Sequence, residues 1–489
     1  MTDGLKPYPE YKDTGLPWLG RIPAHWDARR IRQIVDMLVS NVDKHSLSGE
    51  LPVRLCNYVD VYKNERITNN LRFMQATATP DEIERFRLRA GDVLLTKDSE
   101  EWTDIGVPSL VEYTAPDLVC GYHLAILRCR SDGILGAYVL RALQCRAVAH
   151  QFHVEANGVT RYGLSHSAIK NVVLPVPPSE EQSLIVRFLD HANRRIERYI
   201  RAKRKVVALL NEQKQAIINQ VVTCGLDPHV PLKDSIIPWL SQIPAHWKIR
   251  RLKHCITPIE QGWSPQCDAQ PSAEDEWGVL KVGCVNKDIF NPAQNKRLPK
   301  TLRPDPALQI RDGDILVSRA NTRELLGLAA LAETPRPKLL LCDKLFRFRA
   351  IQECFNSKFL VLSLRSSPSR AQIESNTNGA SDSMQNISQD VLKNLYVAMP
   401  PVSEQNQIIS SLNVRLHHIH TSITPAEREI ALIREYCTRL IADVVTGQLD
   451  VREAAARLPE ESQEPEPLYA DSDDTEGVEA TDEPIEAEA

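Results

Sequence analysis

From Leu189 onward, apolar residues recur every seven positions through Ile196, Leu210 and Ile217, with Lys203 breaking the series. The same rhythm returns at Leu412, Ile419, Ala426, Ile433 and Leu440. Companion positions Ile185, Ala192, Tyr199 and Val206 complete one stripe. A repeat of this period predicts a long amphipathic helix whose seam needs a partner. Pro177-Pro178 precedes Ser179-Glu180-Glu181, a stop followed by a cap and an acidic first turn, as a helix start prefers. Glu180–Val222 spans 43 residues, about 65 Å at roughly 1.5 Å per residue. In the second helix Pro425 is expected to kink or interrupt the backbone.

Ahead of each double proline the pattern changes. Short β-branched and aromatic runs such as "LAILRC" and "LFRFRA" alternate with short helical stretches such as "AYVLRALQC" and "SKFLVLSLR". That texture predicts a mixed, strand-rich α/β domain of about 150 residues, present twice. The doubling is written in the residues. "LPWLGRIPAHW" at 16–26 returns as "IPWLSQIPAHW" at 237–247, and 11–32 shares 12 of 22 residues with 232–253. "LRAGDVLLTK" at 88–97 returns as "IRDGDILVSR" at 310–319, and "LPVPPSEEQSLI" at 174–185 as "VAMPPVSEQNQI" at 397–408. "VVTCGLD" at 221–227 returns as "VVTGQLD" at 444–450. Four blocks in one order, offset by 221 to 223 residues, make a tandem duplication rather than a short-period solenoid.

If the second helix seeks the first, it runs back antiparallel, leaving two similar domains at opposite ends of a two-helix rod with an approximate two-fold axis. The chain is then nearly circular, its ordered body running from about Tyr11 to about Asp450. Trp18, Trp26, Trp239 and Trp247 are expected to be buried anchors, because each large ring hides roughly 150–250 Å². His25 and His246 are read as turn or packing residues.

Charge adds a boundary. Residues 459–489 carry 13 Asp or Glu and no Lys or Arg. Of the 64 acidic residues 51 then remain in the body, against 59 basic ones, so a net charge of −5 conceals a body of +8. An acidic segment poor in large apolar residues is expected to be disordered. A basic body suits a partner rich in phosphate, though many unrelated proteins share the trait. No apolar run is long enough to cross a bilayer, no secretory signal is visible, and eleven scattered cysteines without a C-x-x-C pair read as reduced thiols of a cytoplasmic protein.

Signatures of catalysis are missing from the sequence. It holds no G-x-x-x-x-G-K-[ST] phosphate loop, no G-x-S-x-G elbow, and no N/D-P-P-Y/F methyltransferase motif, which "NPAQ" at 291–294 does not fit. "HHIH" at 417–420 lacks accompanying ligands for a metal. Glu10-x-Lys12 lacks the partnered aspartate of a nuclease.

Twin variable domains, the repeated "PW…IP.HW", the "GD[VI]L" strands, the "PP..EQ..I" helix start and the "VVT…LD" helix exit together resemble the specificity subunit of type I restriction-modification systems. The resemblance covers 11–450. It implies an N-terminal anchor and first target recognition domain at 1–178, a spacer helix at 179–226, a second anchor and recognition domain at 227–401, a second spacer helix at 402–450 and an acidic tail at 451–489. Each domain would read one half of a bipartite double-stranded DNA target. The helices would set the spacing and dock two modification subunits, with restriction subunits joining them. This chain would be non-catalytic and hold no cofactor; S-adenosylmethionine, ATP and magnesium would bind the partners. The alternative is a stand-alone DNA-binding scaffold or regulator without enzyme partners.

Candidate DNA contacts follow from donor and acceptor chemistry. Lys97 and Arg319 occupy one place, just after the "GD[VI]L" strand, and suit a phosphate or guanine as well as they suit a solvated strand end. Asn157, Arg161 and Tyr162, and in the second unit Asn321, Asn378, Ser383 and Gln385, sit in polar, turn-rich segments whose amides and guanidinium match base edges. Glu181, Gln182, Glu404 and Gln405 of the "EQ" pairs join the four tryptophans as structural anchors or partner contacts. "RRIERYIRAKRK" at 194–205, seven basic residues with one acid, reads first as a solvated helix face and second as a surface for DNA or an acidic partner.

Overall fold

The computed structural model describes residues 5–130, 133–237, 239–268, 270–287, 289–377 and 385–459. Two compact units divide the chain. The first takes in 1–197 and 433–489, the second 198–432. Both mix helix and strand, and one plan serves both.

In the first unit a five-stranded sheet runs in the order Val35–Val39, Leu124–Cys129, Val93–Thr96, Pro108–Val111, Arg66–Ile67. Only its last pair is parallel. Val93–Thr96 is buried at every position, so its apolar run does not alternate with polar residues. The pleat still sorts the side chains. Val93, Leu95, Ala125 and Leu127 face the core that contains the helices Gly136–Gln144 and Arg146–Glu155. Leu94, Leu124 and Ile126 face a second core with the sheet Leu118–Cys120, Leu51–Cys56, Met74–Ala78. The second unit repeats this with a four-stranded sheet, Glu260–Gln261, Leu345–Phe348, Ile315–Ser318, Ala329–Leu331. There Ile315, Val317, Phe346 and Phe348 face one core, and Leu316, Ala330 and Leu345 the other.

The "GD" before each central strand is a turn whose aspartate is buried. Gly91 and Gly313 have φ of 88° and 82°, a region that glycine enters without a Cβ penalty. The Asp92 carboxylate accepts from Arg89 N at 2.9 Å and holds Arg128; Asp314 accepts from Arg311 N at 2.8 Å and holds Arg349. Both aspartates are buried, and a buried carboxylate persists because charged donors satisfy it.

The long helices are Ser179–Cys224 and Val402–Val445. Within the first unit, Ile185, Leu189 and Ala192 from the start of one share a core with Leu440, Val444 and Val445 from the end of the other. Cys437 Sγ lies 3.3 Å from Asn193 Oδ1. Within the second unit, Ile218, Val221 and Val222 share a core with Ile408 and Leu412, while Lys203 Nζ reaches Glu429 Oε2 at 2.9 Å. As one residue number rises the other falls, so the segments paired in the second unit run antiparallel. Two expectations are corrected. Of the kink or interruption expected at Pro425, the interruption is absent, because helix runs from Val402 to Val445. Tyr199 and Val206 are exposed, and Ile200 takes the buried place beside Ile196, because 3.6 residues per turn drift away from a strict seven-residue repeat.

The repeated "IPAHW" phrase is a joint where a helix start and a helix exit meet one indole. Trp26 Nε1 donates to Glu181 Oε1 at 3.0 Å and His25 Nε2 lies 2.8 Å from Glu181 Oε2. Trp247 Nε1 donates to Glu404 Oε1 at 3.1 Å and His246 Nε2 lies 2.7 Å from Glu404 Oε2. The next residue secures the double proline. Gln182 Nε2 donates to Pro177 O and Gly133 O, and its Oε1 accepts from Leu135 N; Gln405 does the same with Pro400 O, Cys354 O and Asn356 N.

The exiting helix closes the joint with a glycine. Gly447 has φ of 72°, and a Cβ there would lie 2.3 Å from Pro23 and 3.3 Å from Trp26; Gly225, at φ 79°, stands in the same relation to Trp247. Trp26 and Trp247 are fully buried, as expected. Trp18 and Trp239 are not: they are 41% and 56% exposed. Each lies in the turn ahead of the strand that the buried tryptophan follows, so the chain reverses before their rings can reach the core. The body also extends past its expected ends. Lys6 bridges to Asp450, Tyr8 is buried with its hydroxyl on Glu181, and a short helix at Arg452–Ala456 buries Ala455.

Candidate nucleic-acid interface

Lys97 and Arg319 are delivered by the same backbone frame. Lys97 N donates to His123 O at 3.1 Å and its carbonyl accepts from Leu164 N at 2.8 Å; Arg319 N donates to Lys344 O at 2.9 Å and its carbonyl accepts from Ile387 N at 3.0 Å. Beside each opens a cleft. The first, about 390 Å³, is lined by Lys97, Asn41, Tyr122 and His166, and the second, about 320 Å³, by Arg319, Phe346, Asn386 and Gln389.

The chemistry within the frames differs. In the first unit the Asp98 carboxylate accepts from Lys97 Nζ at 2.6 Å and lies 2.8 Å from His123 Nδ1. Arg161 Nη2 lies 3.3 Å from His123 Nε2, and the Tyr122 ring stands 3.6 Å from the imidazole, centroid to centroid. These contacts fit one tautomer, with the proton on Nδ1 facing Asp98 and Nε2 accepting from Arg161. Asn157 and Tyr162 belong to the hairpin Asn157–Gly158, Tyr162–Gly163, whose second strand pairs with Asp98-Ser99. Asn157 is exposed and Tyr162 half-buried. The structure therefore brings Lys97, Arg161 and Tyr162 to one edge around Asp98 and His123.

Burial pushes the Asp98 carboxyl up, but the hydrogen bonds from His123 and Lys97 outweigh it and hold the group below its ordinary 3.8. A carboxyl lowered in the folded state stabilises above its unfolded value, and the contribution is lost as pH falls through the folded one. The stability difference between the protein and Asp98→Asn is therefore expected to be constant above about pH 5 and to shrink below pH 4 in denaturant titrations. A difference that grew on acidification would reverse this assignment.

In the second unit amides replace ions. Arg319 Nη1 reaches Asp343 O at 3.4 Å, and its guanidinium lies 6.0 Å from the centre of the Phe346 ring. Asn321 Nδ2 donates to Asn286 Oδ1 at 3.3 Å, and Asn321 pairs with Gln385 across two short strands. Gln385 is buried, and its Oε1 accepts no hydrogen bond among the described residues. Asn378 and Ser383 lie outside the described residues.

Asp98, His123, Tyr122 and Asn286 escaped the sequence reading. The repeat draws attention to positions that match in both units, but Asp98 stands opposite Ala320 and His123 opposite Lys344. The one available signal was the acidic residue directly after Lys97.

Residues 23–204 match the type I restriction modification DNA specificity domain. In sequence the chain is similar to type I restriction-modification specificity subunits. The EcoEI specificity subunit of Escherichia coli is 35% identical over 204 residues, covering 42% of this chain and 34% of that protein. The match thus spans about a third of that relative's length. The putative MjaX specificity subunit of Methanocaldococcus jannaschii is 23% identical over 438 residues, 89% of this chain and 96% of the relative. A solved chain from a study of complex assembly and conformational transition in a type I system shares the fold, with a TM-score of 0.56 and 15% identity over 87% of this chain and 98% of its own. Among the described residues no helix is long and apolar enough to cross a membrane.

Proposed function

We propose that this chain is the DNA sequence-specificity subunit of a type I restriction-modification complex. Each unit reads one half of a bipartite double-stranded target through the edge that carries Lys97 or Arg319. The observation that carries the reading is a duplicated backbone frame bearing unlike side chains. A frame common to both units would place each reading edge alike on DNA, while Lys97, Asp98 and His123 against Arg319, Ala320 and Asn321 would select different bases. Basic groups at such an edge supply phosphate and guanine contacts; amides such as Asn321 suit adenine.

On this reading the paired long helices form an antiparallel two-helix coiled coil that separates the two recognition domains about a pseudo-two-fold axis and sets the unread gap. The division at 1–178, 179–226, 227–401 and 402–450 follows, with the acidic tail from 451. The joint residues Trp26, Glu181, Gln182, Trp247, Glu404 and Gln405 hold each helix pair to its domain, and exposed Trp18 and Trp239 offer docking surfaces to two methyltransferase subunits. The chain itself carries out no reaction; S-adenosylmethionine, ATP and magnesium belong to the modification and restriction subunits. The setting is the cytoplasm.

Reconstitution tests this. The purified chain alone is expected to transfer no methyl groups; with its cognate methyltransferase subunit it should direct adenine methylation to a motif with two unlike halves. Arg319→Ala should relax or weaken one half only, by about 1–3 kcal/mol for a base contact. Methylation by the chain alone would refute the proposal. DNA binding that no methyltransferase subunit joins would instead favour a stand-alone scaffold.

A further inference from the structure

Two cations stand at the reading edge of the first unit, and their surroundings differ. Lys97 Nζ lies 2.6 Å from the Asp98 carboxylate, in a pair whose side chains are only 20% and 21% exposed. Its charge is spent inside the edge. Arg161 is exposed and makes no ion pair among the described residues. Its partner is a neutral acceptor, His123 Nε2, at 3.3 Å, and Asp98 orients that imidazole by accepting from Nδ1 at 2.8 Å. Asp98 thus cancels Lys97 and, through His123, steadies Arg161 without cancelling it.

Backbone geometry fixes the same residue from the other side. Arg161 ends the three-residue turn of the hairpin Asn157–Gly158, Tyr162–Gly163. A Cβ on Gly158 would lie 1.9 Å from Arg161 O, and one on Gly163 would lie 3.3 Å from Asp98 Oδ1. Glycines let the turn close and the hairpin lie against Asp98. A two-stranded ribbon of this kind fits the major groove of B-DNA. One guanidinium N–H is spent on His123, and a complete two-pronged edge stays open. Such an edge matches guanine O6 and N7, and a donor already held in place loses less freedom on binding.

We propose that Arg161, held by His123 and Asp98, reads a guanine in the half-site of the first unit, and that Lys97 reads no base. His123 and Asp98 are positioning residues. The guanine rests on the proposed function; the hold on Arg161 stands on this chain alone. Ala320 and Lys344 stand opposite Asp98 and His123 in the second unit, so the effect belongs to one half of the target.

The test maps methylated adenines in a randomised duplex library treated with the full chain, its cognate methyltransferase subunit and S-adenosylmethionine. In Arg161→Ala one guanine of one half is expected to become degenerate, its preference falling about 5- to 150-fold, while the other half stays fixed. Lys97→Ala should leave the base preferences in place. An asparagine amide falls where Nδ1 was, and a glutamine amide where Nε2 was. His123→Asn keeps the Asp98 contact alone and should match Arg161→Ala at that guanine; His123→Gln keeps an acceptor for Arg161 and should retain the preference. A guanine that survives Arg161→Ala, or a different base lost in Lys97→Ala, overturns the choice of reader. Equal behaviour of the two His123 variants overturns the positioning role. If the unaltered chain directs no methylation, the proposed function fails and the guanine reading with it. Nitrogen NMR of labelled histidine then decides the hold: His123 should show a protonated Nδ1 and a bare Nε2 whose signal moves in Arg161→Ala, and a protonated Nε2 overturns it.

Discussion

Trp26→Ala is expected to lower the stability of the first unit by about 3–5 kcal/mol, the usual cost of emptying a buried tryptophan site. The ring is fully buried in the core that also holds Ile22, Ile31 and Val445, so its loss leaves a cavity. It also removes the Nε1 donor from Glu181, a carboxylate that is itself buried. Glu181 keeps His25 and the Tyr8 hydroxyl, so truncation weakens the joint without stranding the charge. Trp26→Phe separates the two contributions: it restores most of the apolar area and loses only the charge-assisted hydrogen bond, worth about 1.5–3 kcal/mol. Trp247→Ala should act on the second unit in the same way. Calorimetric unfolding checks this; a loss below about 1 kcal/mol for Trp26→Ala would mean that the joint does not hold the helices to the domain.

Arg141→Ala should cost as much by a different route. Arg141 is 2% exposed and binds Asp190 of the first long helix through Nε at 3.1 Å and Nη2 at 2.7 Å. Its Nη1 reaches Glu65 at 2.9 Å and Gln144 at 2.8 Å. Removing one partner from a buried ion pair typically costs about 3–5 kcal/mol, because the remaining charge is left desolvated. Arg66 still touches Asp190 at 2.8 Å, which places the expected value at the lower end. Arg141→Lys should rescue little, since an ammonium cannot reproduce the forked contact. In a double-mutant cycle with Asp190→Asn the coupling should exceed about 1 kcal/mol. Additive effects would show that the two residues stabilise the unit independently.

Much of this architecture was legible because its signals are local or repeated. Seven-residue periodicity announced both long helices, and the double prolines marked their starts to within a few residues. Duplication did more: two copies of "IPAHW" and of "EQ" had to be doing one thing twice, and they clamp each other. The repeat could not say that the clamp is a tryptophan N–H and a histidine on one glutamate. It misled on Trp18 and Trp239, since a recurring large ring suggests a core position, yet both lie exposed in a turn. Pro425 was expected to kink or interrupt its helix because proline lacks an amide donor, and it does not interrupt it.

At the reading edge the balance shifts. Lys97 and Arg319 were found because the strand that carries them is duplicated. Asp98 and His123 meet only because the strand Val93–Thr96 pairs with Leu124–Cys129 and brings a residue 25 positions away beside the carboxylate. Sequence by itself determined the periodicity, the duplication, the charge split and the resemblance to a family, all properties carried along the chain. Tertiary structure decided which glutamate each tryptophan holds, which rings are buried, and that one edge is ionic while the other is built of amides. Those outcomes depend on distances between segments remote in sequence, where a difference of a few ångströms separates a hydrogen bond from no contact.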